Sequence, residues 1–146
     1  MKKIINVIFS VIFSVLIIST IIKFTVGFKQ LYYFDIEYLN IPVLSGLSKE
    51  DIKKNYDYMI DYNLDKDNKE FELPSIKSSE NGKIHFEEVR NIFQILNKIF
   101  KISLVLSIIG LVINILNKNI EFLKTTSKAL IVIPLILMLP IVVNFE

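Results

Sequence analysis

Histidine is the one side-chain type that takes up and releases a proton near neutral pH, and this chain has a single histidine, His85. Glu88 follows three residues later, which on a helix puts both groups on one face. A carboxylate there can fix the imidazole tautomer and stabilise its protonated form, so the pair has the makings of a general acid–base site. On the local sequence alone, a solvated interfacial histidine with an ordinary surface pair accounts for the same residues.

A second cluster places oxygens from Asp61 to Glu72 at positions 1, 3, 5, 7 and 12 of a calcium-loop pattern, through Asp61, Asn63, Asp65, Asp67 and Glu72. The sharp turn of such a loop needs glycine at the sixth position, and Lys66 stands there. Pro74 also argues against a following helix, so a solvated acidic turn is the better reading. The chain has no cysteine, hence no disulfide, thiolate metal site or thiol nucleophile. It has no glycine-rich phosphate loop, Gly-x-Ser-x-Gly elbow or His-Glu-x-x-His helix either. Neither a metal nor a cofactor is expected. The formal charge of +2 is nearly balanced, and no nucleic-acid partner is expected.

The elements that must hold these groups are set by blocked hydrophobicity. Apolar residues make up 52% of the chain and the mean hydropathy is +0.49. They are gathered into runs rather than spread at a period of 2 or 3.6, which makes lipid their solvent. Ile4 to Ile22 is uncharged over 19 residues, nearly 30 Å of helix at about 1.5 Å per residue. It is longer than a signal-peptide core, and Lys23-Phe24-Thr25-Val26-Gly27 offers no small-x-small cleavage site, so an uncleaved anchor is expected. Ile102 to Leu116 forms a second run, extended by Ile99 and Phe100 because Lys98 and Lys101 can snorkel. Ala129 to Val143 forms a third, with Pro134 and Pro140 predicting a kinked or broken span.

The fold class expected is an all-α membrane protein: three transmembrane helices with a mostly helical extracytoplasmic insert after the first. The boundaries are 4–28 for the first transmembrane helix, 29–98 for the insert and 99–116 for the second helix. A cytoplasmic loop at 117–128 and a third transmembrane helix at 129–145 follow. Lys2 and Lys3 before the first span, and Lys118, Lys124 and Lys128 in the loop, place both on the cytoplasmic side. Lys29 to Lys101 holds 11 basic and 13 acidic residues, the balance of a translocated segment.

Within the insert, Ser48 followed by Glu50 and Asp51 reads as an N-cap with an acidic first turn. Ile52, Tyr56, Met59 and Ile60 then predict an amphipathic helix from Lys49 to about Asn63. Asp65 to Lys69 and Ser78 to Gly82 read as turns, and Phe71-Glu72-Leu73 as a short extended piece ended by Pro74. From about His85, Phe86, Val89, Phe93, Leu96 and Phe100 predict a helix continuing into the second span. Phe28, Tyr32, Tyr33, Phe34 and Tyr38 predict an interfacial aromatic belt, or in a sharper version a lipid-binding lip. Asn6, Ser10 and Ser14, spaced by four, and Asn114 suit helix-to-helix packing, as does Asn144.

The order of these parts is the basis of a resemblance. An anchor is followed by Leu47-Ser48-Lys49-Glu50-Asp51-Ile52 opening a Tyr-rich helix, then by Glu80, then by His85-Phe86-Glu87-Glu88-Val89-Arg90 ahead of a membrane hairpin. This resembles a family of four-span bacterial membrane proteins, long catalogued as a domain of unknown function, that includes the lipoprotein intramolecular transacylase. The family's hallmark reads His-x-x-Asp-Val-Lys, matched here by His85, Glu88, Val89 and Arg90 with two conservative changes. The resemblance implies transfer of an acyl chain from the sn-2 ester of a diacylglyceryl-modified lipoprotein to the α-amine of its lipidated cysteine. It also implies His85 as the acid–base catalyst with Glu88 beside it, and membrane lipids and diacylglyceryl lipoproteins as partners. The family continues with a second functional histidine and a fourth span; this chain is expected to be C-terminally shortened relative to it.

Two function classes follow. One is a lipid-modifying membrane acyltransferase centred on His85. The other is a non-catalytic membrane protein, a shortened relative or a subunit whose insert binds a partner. They separate at His85→Ala, which abolishes only the first. Charge-free span centres make a channel or transporter the weaker alternative.

Overall fold

The computed structural model describes residues 2–64 and 70–143. Residues Asp65, Lys66 and Asp67 of the acidic turn, with Asn144 and Glu146, lie outside that set. The described chain is helical without strands: α1 (Lys2–Gly27), α2 (Lys29–Tyr38), α3 (Ile41–Ser45), α4 (Lys49–Leu64), α5 (Glu80–Leu116) and α6 (Glu121–Val143). Three of these are long and apolar enough to cross a bilayer, over Lys3–Gly27, Glu80–Leu116 and Glu121–Leu139. Only a fifth or less of the apolar windows in α5 and α6 is buried within the protein, as expected of helices solvated by lipid.

The chain divides into two compact units. The first comprises residues 1–21 and 98–146, that is, most of α1, the second half of α5, and α6. Its contacts are polar and close. Ser10 and Ser14 are fully buried; the Ser10 hydroxyl donates to the Phe122 carbonyl at 3.0 Å and that of Ser14 to the Thr126 carbonyl at 3.4 Å. The constant offset of 112 residues means α1 and α6 run parallel. Asn119, between α5 and α6, donates to the side-chain oxygens of Asn6 (2.8 Å) and Asn114 (2.7 Å) and accepts from the Glu121 N–H (3.1 Å), capping α6. Buried Ser103 and Ser107 carry the small-residue pattern onto α5. Lipid gives apolar groups no reason to associate, so small side chains and buried hydrogen bonds hold such a bundle. The serine and asparagine spacing anticipated this; of the kinked or broken span expected from Pro134 and Pro140, the break is absent, since α6 continues through both to Val143.

The second unit, residues 22–97, is the insert with the flanking ends of α1 and α5. Ser48 caps α4: its Oγ accepts from the Asp51 N–H at 3.0 Å and donates to the Asp51 carboxylate at 2.7 Å, an N-cap that satisfies one orphan donor. Ile52 and Ile60 of α4 are buried, as the periodicity required. The segment 28–45, read only as an aromatic cluster, folds as α2 and α3. Ile36 is its buried anchor. Tyr32 stacks on Tyr56 at 4.0 Å, the Tyr33 hydroxyl donates to Asp57 at 2.5 Å, and Lys29 pairs with Asp61 at 2.6 Å, so one face of α2 is fastened to α4. Asn40 and Gly46, both left-handed (φ 56° and 71°), bracket the single turn of α3.

One boundary differs from expectation. Ser78 to Gly82 is not a free turn: α5 starts at Glu80, where the Ser79 Oγ accepts from the Gly82 N–H at 3.1 Å. A serine cap satisfies an orphan donor and outweighs the weak helix propensity of Asn81 and Gly82. The helix therefore begins five residues before His85 rather than at it. Phe71 to Leu73, expected as a short extended piece, is neither helix nor strand. It is held by side chains instead: the Tyr58 hydroxyl donates to the Glu70 carbonyl and accepts from the Glu72 N–H, both at 3.1 Å.

Candidate functional site

His85 sits in the second turn of α5, exposed, with its ring edge-on to Phe86 at 5.6 Å. Phe86 starts an aromatic chain that fastens this end of α5 to α4. It stacks on Phe71 at 4.3 Å, and Phe71 meets Tyr62 at 5.0 Å and Tyr58 at 5.8 Å. Phe71 is almost wholly buried. One turn beyond His85, the Arg90 guanidinium lies 4.9 Å over the Tyr62 ring and is itself 6% exposed. Apolar and cation–π contacts thus hold the backbone beneath His85, while the imidazole faces outward.

Glu88 is exposed one turn from His85 on the same helix. Among the described residues no hydrogen bond or ion pair joins the two. The carboxylates that are engaged nearby are others. Lys83 reaches Glu72 at 2.8 Å, Glu70 at 3.0 Å and Glu80 at 4.0 Å. The Lys83 ammonium, followed by the Ser78 N–H, holds the Glu72 carboxyl below its usual range. Charged partners of this kind favour the ionised carboxylate.

A cleft of about 380 Å³ opens beside these groups, walled by Tyr62, Glu70, Phe71, Lys83, Glu87 and Arg90 among others. Glu87 and Arg90 belong to the helix face next to that of His85, and neither His85 nor Glu88 lines this cleft. Sequence reasoning singled out His85 and Glu88 and missed the support beneath them. Arg90 entered only as part of a hallmark, and Tyr62 only as one of several tyrosines. The available signal was the i, i+4 spacing of Tyr58 and Tyr62 on α4, a ready apolar face for the phenylalanines.

Among the described residues no three His, Cys, Asp or Glu side chains are grouped to hold a metal ion. The two ends of the calcium-loop pattern are each bound to a lysine: Asp61 to Lys29 and Glu72 to Lys83.

The comparisons with known proteins agree with this architecture. A family model described as lipoprotein intramolecular transacylase Lit matches residues 7–146. Three solved structures of the membrane-integral lipoprotein intramolecular transacylase Lit from Bacillus cereus match over the whole of this chain. One is 37% identical, with a TM-score of 0.80 and 68% of its chain covered. A second, carrying an H85R mutation, is 36% identical, with a TM-score of 0.85 and 65% covered. A third, carrying an H85A mutation, is 36% identical, with a TM-score of 0.85 and 66% covered. This chain therefore spans about two thirds of the length of the solved chains it matches. No curated protein matches. With its three apolar helices, its helical insert and a family match running from residue 7 to its last residue, the chain belongs to the lipoprotein intramolecular transacylase family.

Proposed function

We propose that this chain acts in intramolecular transacylation of diacylglyceryl lipoproteins, with His85 as its proton-transfer group and Glu88 as the carboxylate that orients it. The observation that carries the reading is the family match together with His85 presented outward at the end of a helix that continues into the membrane. Ile92, Ile95, Ile99 and Ile102 recur every three or four residues of α5 and are all exposed. That apolar stripe begins seven residues after His85, about 10 Å along the helix axis, which suits the depth of a lipid's ester groups.

The reaction asks for little beyond proximity and proton transfer. The α-ammonium of the lipidated cysteine has a pKa of about 8 and must first lose a proton. The freed amine then attacks the sn-2 ester carbonyl, forming a C–N bond. His85 takes the second nitrogen proton and delivers it to the glycerol oxygen as the C–O bond breaks, leaving an amide and a free hydroxyl. Net release is the single proton that the ammonium lost at the start. The exchange of ester for amide is downhill, so no energy donor is required.

The topology that serves this chemistry has the N-terminus and the 117–128 region cytoplasmic and residues 29–98 extracytoplasmic, as the lysine distribution favours. Membrane lipids and diacylglyceryl lipoproteins are then met on the same side as His85.

The test is to produce the chain in a bacterium that makes only diacyl lipoproteins, and to probe a lipoprotein's N-terminal amine with an amine-reactive label. The product is an isomer of the substrate, so fragment spectra must place the acyl chain. A blocked amine that is free again with His85→Ala supports the reading. A free amine, with the protein present in the membrane, overturns it for this chain.

A further inference from the structure

Phe24, Phe28, Leu31, Phe34 and Tyr38 recur every three or four residues from the last turns of α1 through α2, and all are exposed. Phe24 stacks on Phe28 at 5.7 Å and Phe34 on Tyr38 at 5.5 Å, so the rings form two stacked pairs with Leu31 between them in sequence. Leu31 and Phe34, in the middle of this strip, are 54% and 62% exposed. Val43 and Leu44 on α3 extend it at 75% and 81%.

The opposite face of α2 is occupied. Ile36 is fully buried, Tyr32 is stacked on Tyr56, and Tyr33 and Lys29 are bonded to Asp57 and Asp61 of α4. A helix with one face fastened to its own domain and the other bare and aromatic needs a second apolar environment. Here the bare strip starts at Phe24, inside the membrane-spanning helix Lys3–Gly27. It leaves that span across one residue, Phe28, whose ring stacks on that of Phe24; half-buried Asp35, four residues after Leu31, is a charged group on the same side of α2.

We infer that α2 and α3 form a monotopic foot of the insert, whose bare face lies in the boundary between headgroups and acyl chains, with lipid as its occupant. Continuity with the span selects lipid over a protein partner: Phe24 already faces acyl chains, and the next ring stacks on it. Interfacial helices of this kind bury an apolar face roughly 5–10 Å into that boundary. The foot is tied to the His85 end of α5 through α4, by the Tyr32–Tyr56 stack on one side and the Tyr62–Phe71–Phe86 contacts on the other. It would fix the height of the insert over the bilayer independently of any chemistry at His85.

The chain contains no tryptophan, so one introduced tryptophan is the sole indole emitter. Phe34→Trp, Leu31→Trp and, as a control on the exposed side of α4, Lys54→Trp are reconstituted as the full chain in phosphatidylcholine vesicles. Each is compared with the same vesicles carrying bromine on the upper acyl carbons. The expected result is a roughly two-fold or larger loss of emission for Phe34→Trp and Leu31→Trp and little loss for Lys54→Trp, given the shallow burial of such faces. Unchanged emission at both strip positions overturns the inference, whether a second copy, a further segment of a longer chain or water then covers the face. Equal quenching at all three overturns it as well, because no face is then singled out. Val43→Trp supplies an independent position should either strip variant fail to fold. The readout is silent about transacylation, so the two proposals fail separately.

Discussion

The Phe9 ring closes over the Cα of Gly110, so that a methyl group built on Gly110 would lie 2.1 Å from two carbons of that ring. The ring has no easy retreat, because it packs edge-on to Phe122 at 5.1 Å and against Phe13 at 5.9 Å. Here α1 and α5 approach as closely as glycine allows, the usual means of packing helices in lipid. Gly110→Ala is expected to cost about 1–3 kcal/mol of bundle stability through overpacking, read as a lower melting temperature in detergent. Adding Phe9→Leu should recover part of the loss; a double variant as unstable as the sum of the two singles would contradict the contact.

Asn119 serves three groups at once: Asn6, Asn114 and the Glu121 N–H. Asn119→Ala removes a helix cap and two half-buried bonds, an expected loss of about 1–2 kcal/mol. In a double-mutant cycle, Asn6→Ala should cost measurably less once Asn119 is already alanine. Strict additivity would mean that the bond between them contributes nothing.

Tyr33 donates to Asp57, and that hydrogen bond, with burial and the Asp57 charge, pushes its pKa from 10.0 up to about 12. A raised folded-state pKa contributes stability that is whole below pH 10 and is lost as pH rises toward 12. The insert should therefore loosen over that alkaline window, with one of the six tyrosines ionising last in the ultraviolet titration. In Tyr33→Phe that last step should vanish, and at neutral pH the variant should be less stable by about 1 kcal/mol.

Glu72 gives the opposite dependence. Lys83 holds its carboxyl below the ordinary value of 4.5, so the contribution is present above that value and fades as pH falls below it. The pair is exposed and screened by solvent, so its worth is small. The acid-induced loosening of residues 70–79, followed by amide exchange, should be weaker in Lys83→Met than in the parent chain. Equal acid sensitivity would show that this ion pair does not set it.

At the proposed catalytic pair, Glu88→Gln keeps the size of the side chain and removes its charge. If Glu88 orients and stabilises the imidazolium, transacylation should fall by roughly ten- to a hundred-fold, while membrane accumulation stays unchanged. Glu88→Asp should retain most activity. An unaffected Glu88→Gln would assign Glu88 to the solvated surface.

How much was legible in advance can be judged from particular residues. Ser48 with the acidic residues after it announced the start of α4, and in the structure the Ser48 hydroxyl accepts from the Asp51 N–H as an N-cap does. Ser10 and Ser14 announced a packed helix face and lie buried against α6. Ser79 carried the same kind of signal for α5, yet Asn81 and Gly82 after it disguised the cap as a turn. The aromatic cluster at 28–38 was visible as composition, but its helix was not, because three of its rings or charges spend themselves on partners in α4.

The sequence by itself determined that this is a helical membrane protein with three long apolar runs, and that His85 is its single histidine. That much is local: a long uncharged run in lipid must satisfy every backbone donor and acceptor within itself, and only a helix does so within one segment. The tertiary structure alone decided what stands beneath His85 and which face of α2 is left bare. Phe86 resting on Phe71, Arg90 over Tyr62 and Tyr33 on Asp57 join residues 15 to 28 positions apart along the chain. Such pairings depend on how α2, α4 and the segment after α4 fold back on one another, and no periodicity within a single element encodes them.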